Sequence, residues 1–180
     1  IELNTNELYG RNLTAGALDV MGQYYSVASS SHAFYNYGGL VYTGNDEKAL
    51  FDNMWQKCYA VIACCNTIIE KCDENKAGLS PVWRGSIKGE ALALRAMLHF
   101  DMLRLFGPLT SELDKESIPY QTNSDQTVTP LLSGSEVIGL ILDDLKNAVG
   151  LLKDTDPYFV EEEFSDTDLN YRRFRMNYFA

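Results

Sequence analysis

The chain has 180 residues, of which 46% are hydrophobic and 12% aromatic, and this composition predicts a packed core and excludes a disordered chain. The 25 acidic and 15 basic side chains give a net charge of −10, which argues against nucleic acid as a partner. No apolar run approaches the roughly 20 residues that a membrane-spanning helix requires.

The beginning of the chain has weak periodicity. We expect an extended lead over residues 1–13, because Asn, Thr and Gly occur there without an apolar repeat. A moderate helical pattern follows from Thr14 to about Ser29, although Gly16 and Gly22 weaken it. The sequence therefore predicts one helix in this part of the chain.

The segment from Ser29 to Asn45 is rich in Ser, Gly, Asn and aromatic residues and lacks a sustained period, so it predicts a loop. Tyr35, Tyr37 and Tyr42 lie along this loop. A tyrosine can stack on a sugar ring with its apolar face and form a hydrogen bond with its hydroxyl. These residues are therefore candidate ligand contacts. The alternative is that the rings only pin the loop to the helices.

A long helix is predicted from Asn45 or Asp46 to about Cys72, with two apolar stripes that indicate packing on two sides. All four cysteines lie on this helix: Cys58, Cys64, Cys65 and Cys72. Three of them recur every seven residues and are about 10 Å apart along the helix axis. This distance is too large for a disulfide or for shared ligation of one metal ion. We therefore expect reduced cysteines and no metal site.

A second long helix is predicted between Ser80 and Gly107. Ser80 is suited to cap its N-terminus, and Pro81 suits the first turn, where an N–H is not needed. Gly107 can end the helix in a left-handed conformation, and Pro108 prevents continuation. Trp83, at the exposed start of this helix, is a fourth candidate ligand contact.

Two features of this helix predict contacts with its neighbours. Gly85 and Gly89 each cost roughly 1 kcal/mol relative to Ala, and close approach of another backbone would compensate, so we expect a second helix to cross there. Asn66 lies in an apolar stripe of the preceding helix, where its amide must find partners. We expect Asn66, Glu90 and Arg95 to form a buried structural network.

The chain after Pro108 is polar as far as about Thr129, and such a long loop is typical of a functional or surface segment. Ser133 and Glu136 then have the spacing of a capping box and open a further helix, which ends at Asp156. We expect its apolar stripe to comprise Val137, Ile138, Ile141, Leu142, Leu145, Ala148, Val149 and Leu152. We expect its polar side to face water through Asp143, Asp144 and Lys146.

A last helix is predicted from Tyr171 to Ala180, where the sequence stops, so we expect the N-terminal fragment of a longer protein. The elements predict an all-α fold in which antiparallel helical hairpins stack as a tetratricopeptide-like α–α superhelix, within one domain over residues 1–180. Zinc-protease, phosphate-loop and dinucleotide-binding motifs do not occur in the sequence. We therefore expect a binding protein that uses no cofactor and is not an enzyme.

Four segments resemble signature segments of the SusD/RagB family and occur in the family's order. Residues 54–72, MWQKCYAVIACCNTIIEKC, are similar to a signature helix with Trp, Tyr and Asn in this order. Residues 89–108, GEALALRAMLHFDMLRLFGP, resemble the family's characteristic segment. Residues 130–152 and 170–180 resemble the two helices that follow.

The resemblance implies a cell-surface lipoprotein of the outer membrane that binds glycans or other nutrients and passes them to a TonB-dependent SusC-like transporter. It implies that this part of the protein is mainly helical scaffold and docking surface, with the lipid anchor outside this chain. From the residues alone, a tetratricopeptide-like adaptor that binds a peptide or partner protein remains the alternative.

Overall fold

A computed structural model of the protein describes residues 3–125 and 127–156. The helix predicted from Tyr171 to Ala180 lies outside these residues. The chain divides into two compact units, Ile1–Val61 and Ile62–Ala180, called unit one and unit two. Among the described helices, none is long and apolar enough to cross a lipid bilayer.

Five helices provide most of the regular structure in the described residues. They are α1 (Ala17–Met21), α2 (Tyr35–Gly38), α3 (Asn45–Glu74), α4 (Pro81–Phe106) and α5 (Gly134–Thr155). A 3-10 turn lies at Thr110–Glu112, and the strands β1 (Glu116–Pro119) and β2 (Leu131–Ser133) pair antiparallel. The predicted all-α class is confirmed, since the sheet in the described residues is a single strand pair.

The start of unit one is folded rather than extended, so that prediction is wrong. Residues 6–15 form consecutive turns, with hydrogen bonds from Leu8 N to Thr5 O (3.1 Å) and from Leu13 N to Leu8 O (3.0 Å). The side chain of Leu8 is fully buried, which stabilises these turns. A single buried apolar residue produces no period, and periodicity therefore could not reveal the turns.

The helix predicted from Thr14 to Ser29 is much shorter than expected, because α1 ends at Met21. Gln23 has a φ of 62°, and a residue in this left-handed region cannot continue a right-handed helix. The predicted loop from Ser29 to Asn45 is confirmed except for the single helical turn α2.

The predicted N-terminus of α4 is confirmed, whereas its predicted C-terminal conformation is wrong. The Ser80 hydroxyl accepts a hydrogen bond from Trp83 N at 3.4 Å, and Pro81 occupies the first turn. Gly107 has φ −83° and ψ 177°, which is extended rather than left-handed. The following Pro108 explains the difference, because proline restricts the residue before it to extended conformations.

The helix that crosses α4 at its two glycines is α5. A Cβ atom at Gly85 would lie 2.7 Å from Cγ2 of Thr155, and one at Gly89 would lie 2.7 Å from Cγ of Leu152. Both distances are shorter than any normal carbon contact. The two helices can therefore cross this closely only because Gly85 and Gly89 have no side chains. The predicted close approach of a second helix is confirmed.

The buried face of α5 is narrower than its predicted stripe. It comprises Gly134, Val137, Ile141, Asp144, Ala148 and Leu152, at steps of three and four. Leu142, Leu145 and Val149 are exposed, contrary to the prediction. The core of unit two gathers small and branched side chains from three helices, with Ile69 from α3, Ala91, Leu92 and Ala93 from α4, and Ala148 from α5.

Replacing Gly89 with Ala tests the crossing. We expect Gly89→Ala to lower the free energy of unfolding by about 1–3 kcal/mol, because the added methyl group would overlap Leu152. The control is Gly139→Ala on α5, where no atom lies within 4 Å of the added Cβ, and we expect a gain of up to about 1 kcal/mol. Urea denaturation measures both, and equal midpoints for the two variants would contradict the packing.

Candidate functional site

The centre of unit two is a buried ion pair between α4 and α5. Arg95 Nε donates to Asp144 Oδ2 and Arg95 Nη2 donates to Asp144 Oδ1, both at 2.7 Å, and both residues are buried. The expectation that Asp144 faces water is wrong. Its position three residues after Ile141 and four before Ala148 places it on the buried face. Two parallel charge-assisted hydrogen bonds fix the relative position of the helices.

Asn66 extends this ion pair to α3 and to the segment after β1. Arg95 Nη1 donates to Asn66 Oδ1 at 2.8 Å. The amide nitrogen of Asn66 donates to the carbonyl oxygens of Gln121 (3.1 Å) and Asn123 (2.8 Å). Both polar atoms of the amide are therefore engaged, the oxygen by a cation and the nitrogen by two carbonyls.

Glu90, the third residue of the predicted network, lies five residues before Arg95 on α4. Its carboxylate accepts a hydrogen bond from the Ser86 hydroxyl at 3.5 Å. Direct contact of Glu90 with Asn66 or Arg95 stays a prediction.

His99 and Tyr120 complete the buried centre. Their rings stack with centroids 3.9 Å apart, and the Tyr120 hydroxyl donates to Asp144 Oδ2 at 2.6 Å. Gln121 N donates to His99 Nε2 at 3.1 Å, so the ring proton is on Nδ1, which donates to the carbonyl of Arg95 at 2.9 Å. Burial lowers the pKa of His99 to about 4, which keeps the ring neutral.

These contacts are structural in character. The side chains of Asn66, Arg95, His99, Tyr120 and Asp144 are all buried, and their hydrogen bonds join the helices to one another and to the segment after β1. Glu70 adds a further bond by accepting from Ser124 N at 2.7 Å. A ligand cannot reach these groups without opening the core, so the buried centre serves as scaffold.

A candidate binding site lies in unit one, where an open groove of about 400 Å³ is found. This volume is within the range of roughly 300–1,000 Å³ that is typical of small-ligand sites. The groove is lined by Gln23, residues 25–27, Tyr35, Asn36, residues 38–39 and Val41.

Exposed apolar side chains of unit one concentrate at this groove. Among the described residues up to Val61, the exposed large apolar residues are Tyr24, Tyr25, Tyr35, Leu40 and Val41. Three of them line the groove and the other two are their neighbours in the chain. Such a concentration is typical of an interaction site rather than of scattered surface residues.

The two amide side chains of the groove are held by the protein. The amide nitrogen of Asn36 donates to Glu47 Oε1 at 2.8 Å, and the Glu47 side chain is buried. The amide nitrogen of Gln23 donates to the carbonyl of Gly38 at 2.9 Å. Gln23 and Leu40 also have left-handed φ angles of 62° and 54°, and such backbone strain clusters at functional sites.

The four candidate contact residues differ in their exposure and in whether they line the groove. Tyr35 is 42% exposed and lines the groove, and Trp83 is 52% exposed on the first turn of α4 in unit two. Tyr37 is only 3% exposed, which contradicts its expected exposure. Tyr42 is half-buried and packs edge-on against Phe51, with ring centroids 5.4 Å apart.

Tyr37 is buried because the loop folds its ring into an aromatic cluster. Its ring centroid lies 5.7 Å from that of Phe34 at an interplanar angle of 82°, and 6.2 Å from that of Phe51 at 64°. Its hydroxyl donates to the carbonyl of Asp46 at 3.4 Å. Tyr37 therefore pins the loop, as the alternative interpretation of these rings expects.

The sequence interpretation missed Gln23, Tyr25 and Asn36 as groove residues. The adjacent tyrosines Tyr24 and Tyr25 did indicate at least one exposed ring, because two neighbours cannot both lie on the buried face of a helix. Gln23 and Asn36 carried none, since their position depends on how two loops fold against each other. Among the described residues, His, Cys, Asp and Glu form no group of three that could hold a metal ion.

Comparison with known proteins gives consistent findings. Residues 8–165 match the SusD-like family described as starch-binding and associating with the outer membrane. SusD-like protein P38 of Formosa agariphila is 34% identical over 96 residues, which are 52% of this chain and 17% of that protein. A SusD-like protein of Bacteroides ovatus is 29% identical over 110 residues, 59% of this chain and 19% of that protein. The chain thus spans less than a fifth of these relatives' length.

Replacing Asn66 tests the buried centre. We expect Asn66→Ala to lower the free energy of unfolding by about 1–3 kcal/mol, because it leaves an Arg95 donor and two carbonyls without this partner. The matched control is Cys64→Ala, on the exposed side of the same helix, with an expected change within about 0.5 kcal/mol. Chemical denaturation measures the free energy of unfolding of both variants. An unchanged value for Asn66→Ala would refute the role assigned to the amide.

The buried neutral imidazole predicts a pH dependence. The folded-state pKa of about 4 lies below the ordinary value of 6.5, so neutral His99 stabilises the fold above pH 6.5. This contribution is lost as the pH falls from 6.5 towards 4. We expect the unfolding free energy of the wild type to fall more steeply across this range than that of His99→Gln. Parallel slopes in urea titrations of the two proteins would show that His99 does not titrate as described.

Proposed function

The chain belongs to the SusD-like family, and on this premise we propose that it is part of a nutrient-binding protein of the outer membrane that captures glycans at the cell surface. The observation that carries the proposal is the family match over residues 8–165. The groove of unit one supports it, because an exposed tyrosine ring beside amide side chains suits a sugar ring and its hydroxyls.

The proposed activity is binding and release, not catalysis. The histidine and carboxylate at the centre of unit two, His99 and Asp144, are buried and joined to neighbouring elements. The exposed groove offers stacking and hydrogen bonding, which are the interactions that hold a saccharide reversibly. The α3–α5 helices act mainly as scaffold and docking surface in this proposal.

We further propose that the full-length protein passes its glycan to a SusC-like TonB-dependent transporter and is held to the membrane by a lipid anchor. The family description, association with the outer membrane, supports this location. Co-purification of the full-length protein with the transporter from outer membranes tests the partnership. Recovery of the protein from that fraction without any transporter would contradict it.

Tyr35 provides the test of glycan binding. We expect Tyr35→Ala to weaken binding of the glycan to the full-length protein about tenfold, because it removes an aromatic platform. The control is Phe100→Ala, which removes an equally exposed ring from α4 in unit two. Isothermal titration calorimetry measures both. Trp83→Ala, tested in the same way, decides whether that candidate contributes.

An unchanged affinity in Tyr35→Ala would remove the groove from the binding site. Absence of glycan binding by the full-length protein across a broad array would contradict the proposed function itself.

A further inference from the structure

The groove of unit one has no charged lining, although the chain has a net charge of −10. None of the groove-lining residues is Asp, Glu, Lys, Arg or His. An acidic ligand loses its hydration on binding, and a cation is the partner that compensates this loss most strongly. The side chains that line this groove provide none, whereas an uncharged ligand does not need one.

The two amide side chains of the groove have fixed orientations. Asn36 bonds to a carboxylate, Glu47, and Gln23 bonds to a backbone carbonyl, that of Gly38. Both partners are acceptors only, so the amide nitrogens must point to them and the oxygens point elsewhere. Within the part of the chain that the structure describes, neither side-chain oxygen accepts a hydrogen bond from the protein. Because both residues line the groove, their amide oxygens are left available to a ligand as hydrogen-bond acceptors.

Amide oxygens distinguish two classes of sugar. A sugar hydroxyl can donate a hydrogen bond to them, whereas a carboxylate or sulfate group can only accept. The buried Glu47 carboxylate behind Asn36 adds a negative charge close to the groove wall. Both effects favour hydroxyl groups and disfavour anionic groups.

We propose that this groove binds a neutral, hydroxyl-rich saccharide, with its ring against Tyr35 and hydroxyls on the amide oxygens of Gln23 and Asn36, and that it rejects acidic sugars. The inference rests on the proposed function and specifies its ligand class. Glu47 acts as a positioning residue, because it fixes the Asn36 amide without lining the groove.

Gly39 offers a substitution that narrows the groove without disturbing the fold. A Cβ atom there would lie 3.6 Å from the Asn36 carbonyl oxygen and 3.8 Å from Cγ2 of Val41, which are ordinary contact distances. The φ of Gly39 is −86°, a value open to alanine. Gly39→Ala therefore adds a methyl group among groove residues, and Gly139→Ala on α5 is the matched control.

The experiment is calorimetry of the full-length protein with oligosaccharides of equal length. The neutral probes are maltohexaose, mannohexaose and xylohexaose, and the acidic probe is hexagalacturonate. We expect binding of at least one neutral probe, with an affinity that is insensitive to salt, and at least tenfold weaker binding of the acidic probe. Gly39→Ala should weaken the neutral complex several-fold, and Gly139→Ala should leave it unchanged.

A second variant reverses the discrimination. Ser26 lines the groove and is exposed, so Ser26→Lys places a cation in the groove without burying it. We expect it to raise the affinity for hexagalacturonate several-fold relative to maltohexaose. This result does not depend on the behaviour of Gly39→Ala.

The outcomes separate the inference from the proposed function. Preference for hexagalacturonate, a full-strength neutral complex in folded Gly39→Ala, or an unchanged preference in Ser26→Lys would overturn the inference alone. Binding of an uncharged hexapeptide in place of every sugar would overturn it as well, by assigning the groove to peptides. Absence of binding to any saccharide would overturn the proposed function and the inference together.

Discussion

The pairing of Arg95 with Asp144 is the constraint on which unit two depends. Two buried charges are stable only when they are paired and hydrogen-bonded, and removing one partner leaves an uncompensated charge. Arg95 uses Nε and Nη2 for Asp144 and Nη1 for Asn66, so one side chain joins α3, α4 and α5. The Tyr120 hydroxyl also donates to the Asp144 carboxylate, and the Asn66 amide donates to the carbonyls of Gln121 and Asn123. These bonds connect the segment after β1 to the same centre.

The two units use polar groups in opposite ways. At the centre of unit two, polar side chains are buried and their bonds run between elements, which leaves these groups inaccessible to a ligand. In unit one, Gln23 and Asn36 are held by protein acceptors at one end and line an open groove at the other. This division agrees with a protein whose helices are scaffold and whose loops provide ligand contacts, since binding residues concentrate on loops held by a rigid body.

Local signals in the sequence predicted the fold well. The capping box of Ser133 and Glu136 is formed in both directions, because its two residues are close together in the chain. The close approach at Gly85 and Gly89 is also present, because two glycines one turn apart leave room for another helix, although the sequence did not identify that helix as α5. The site was predicted less well, since only Tyr35 of the loop tyrosines lines the groove. Tyr37 has the same chemistry as Tyr35, and only the tertiary fold decides which ring is buried. The burial of Asp144 was not predicted, because it follows another acidic residue and the pair was assigned to the solvent-exposed side of α5. Its position three residues after Ile141 indicates the buried face of the helix.

A double-mutant cycle on Arg95 and Asp144 tests the central claim most directly. Urea denaturation gives the unfolding free energies of Arg95→Met, Asp144→Leu and the double variant. We expect each single change to cost about 3–5 kcal/mol, because it leaves the other charge buried and unpaired. The double variant should cost much less than the sum, since it buries no isolated charge. Costs that add to within about 0.5 kcal/mol would show that the two residues act independently and would contradict the account.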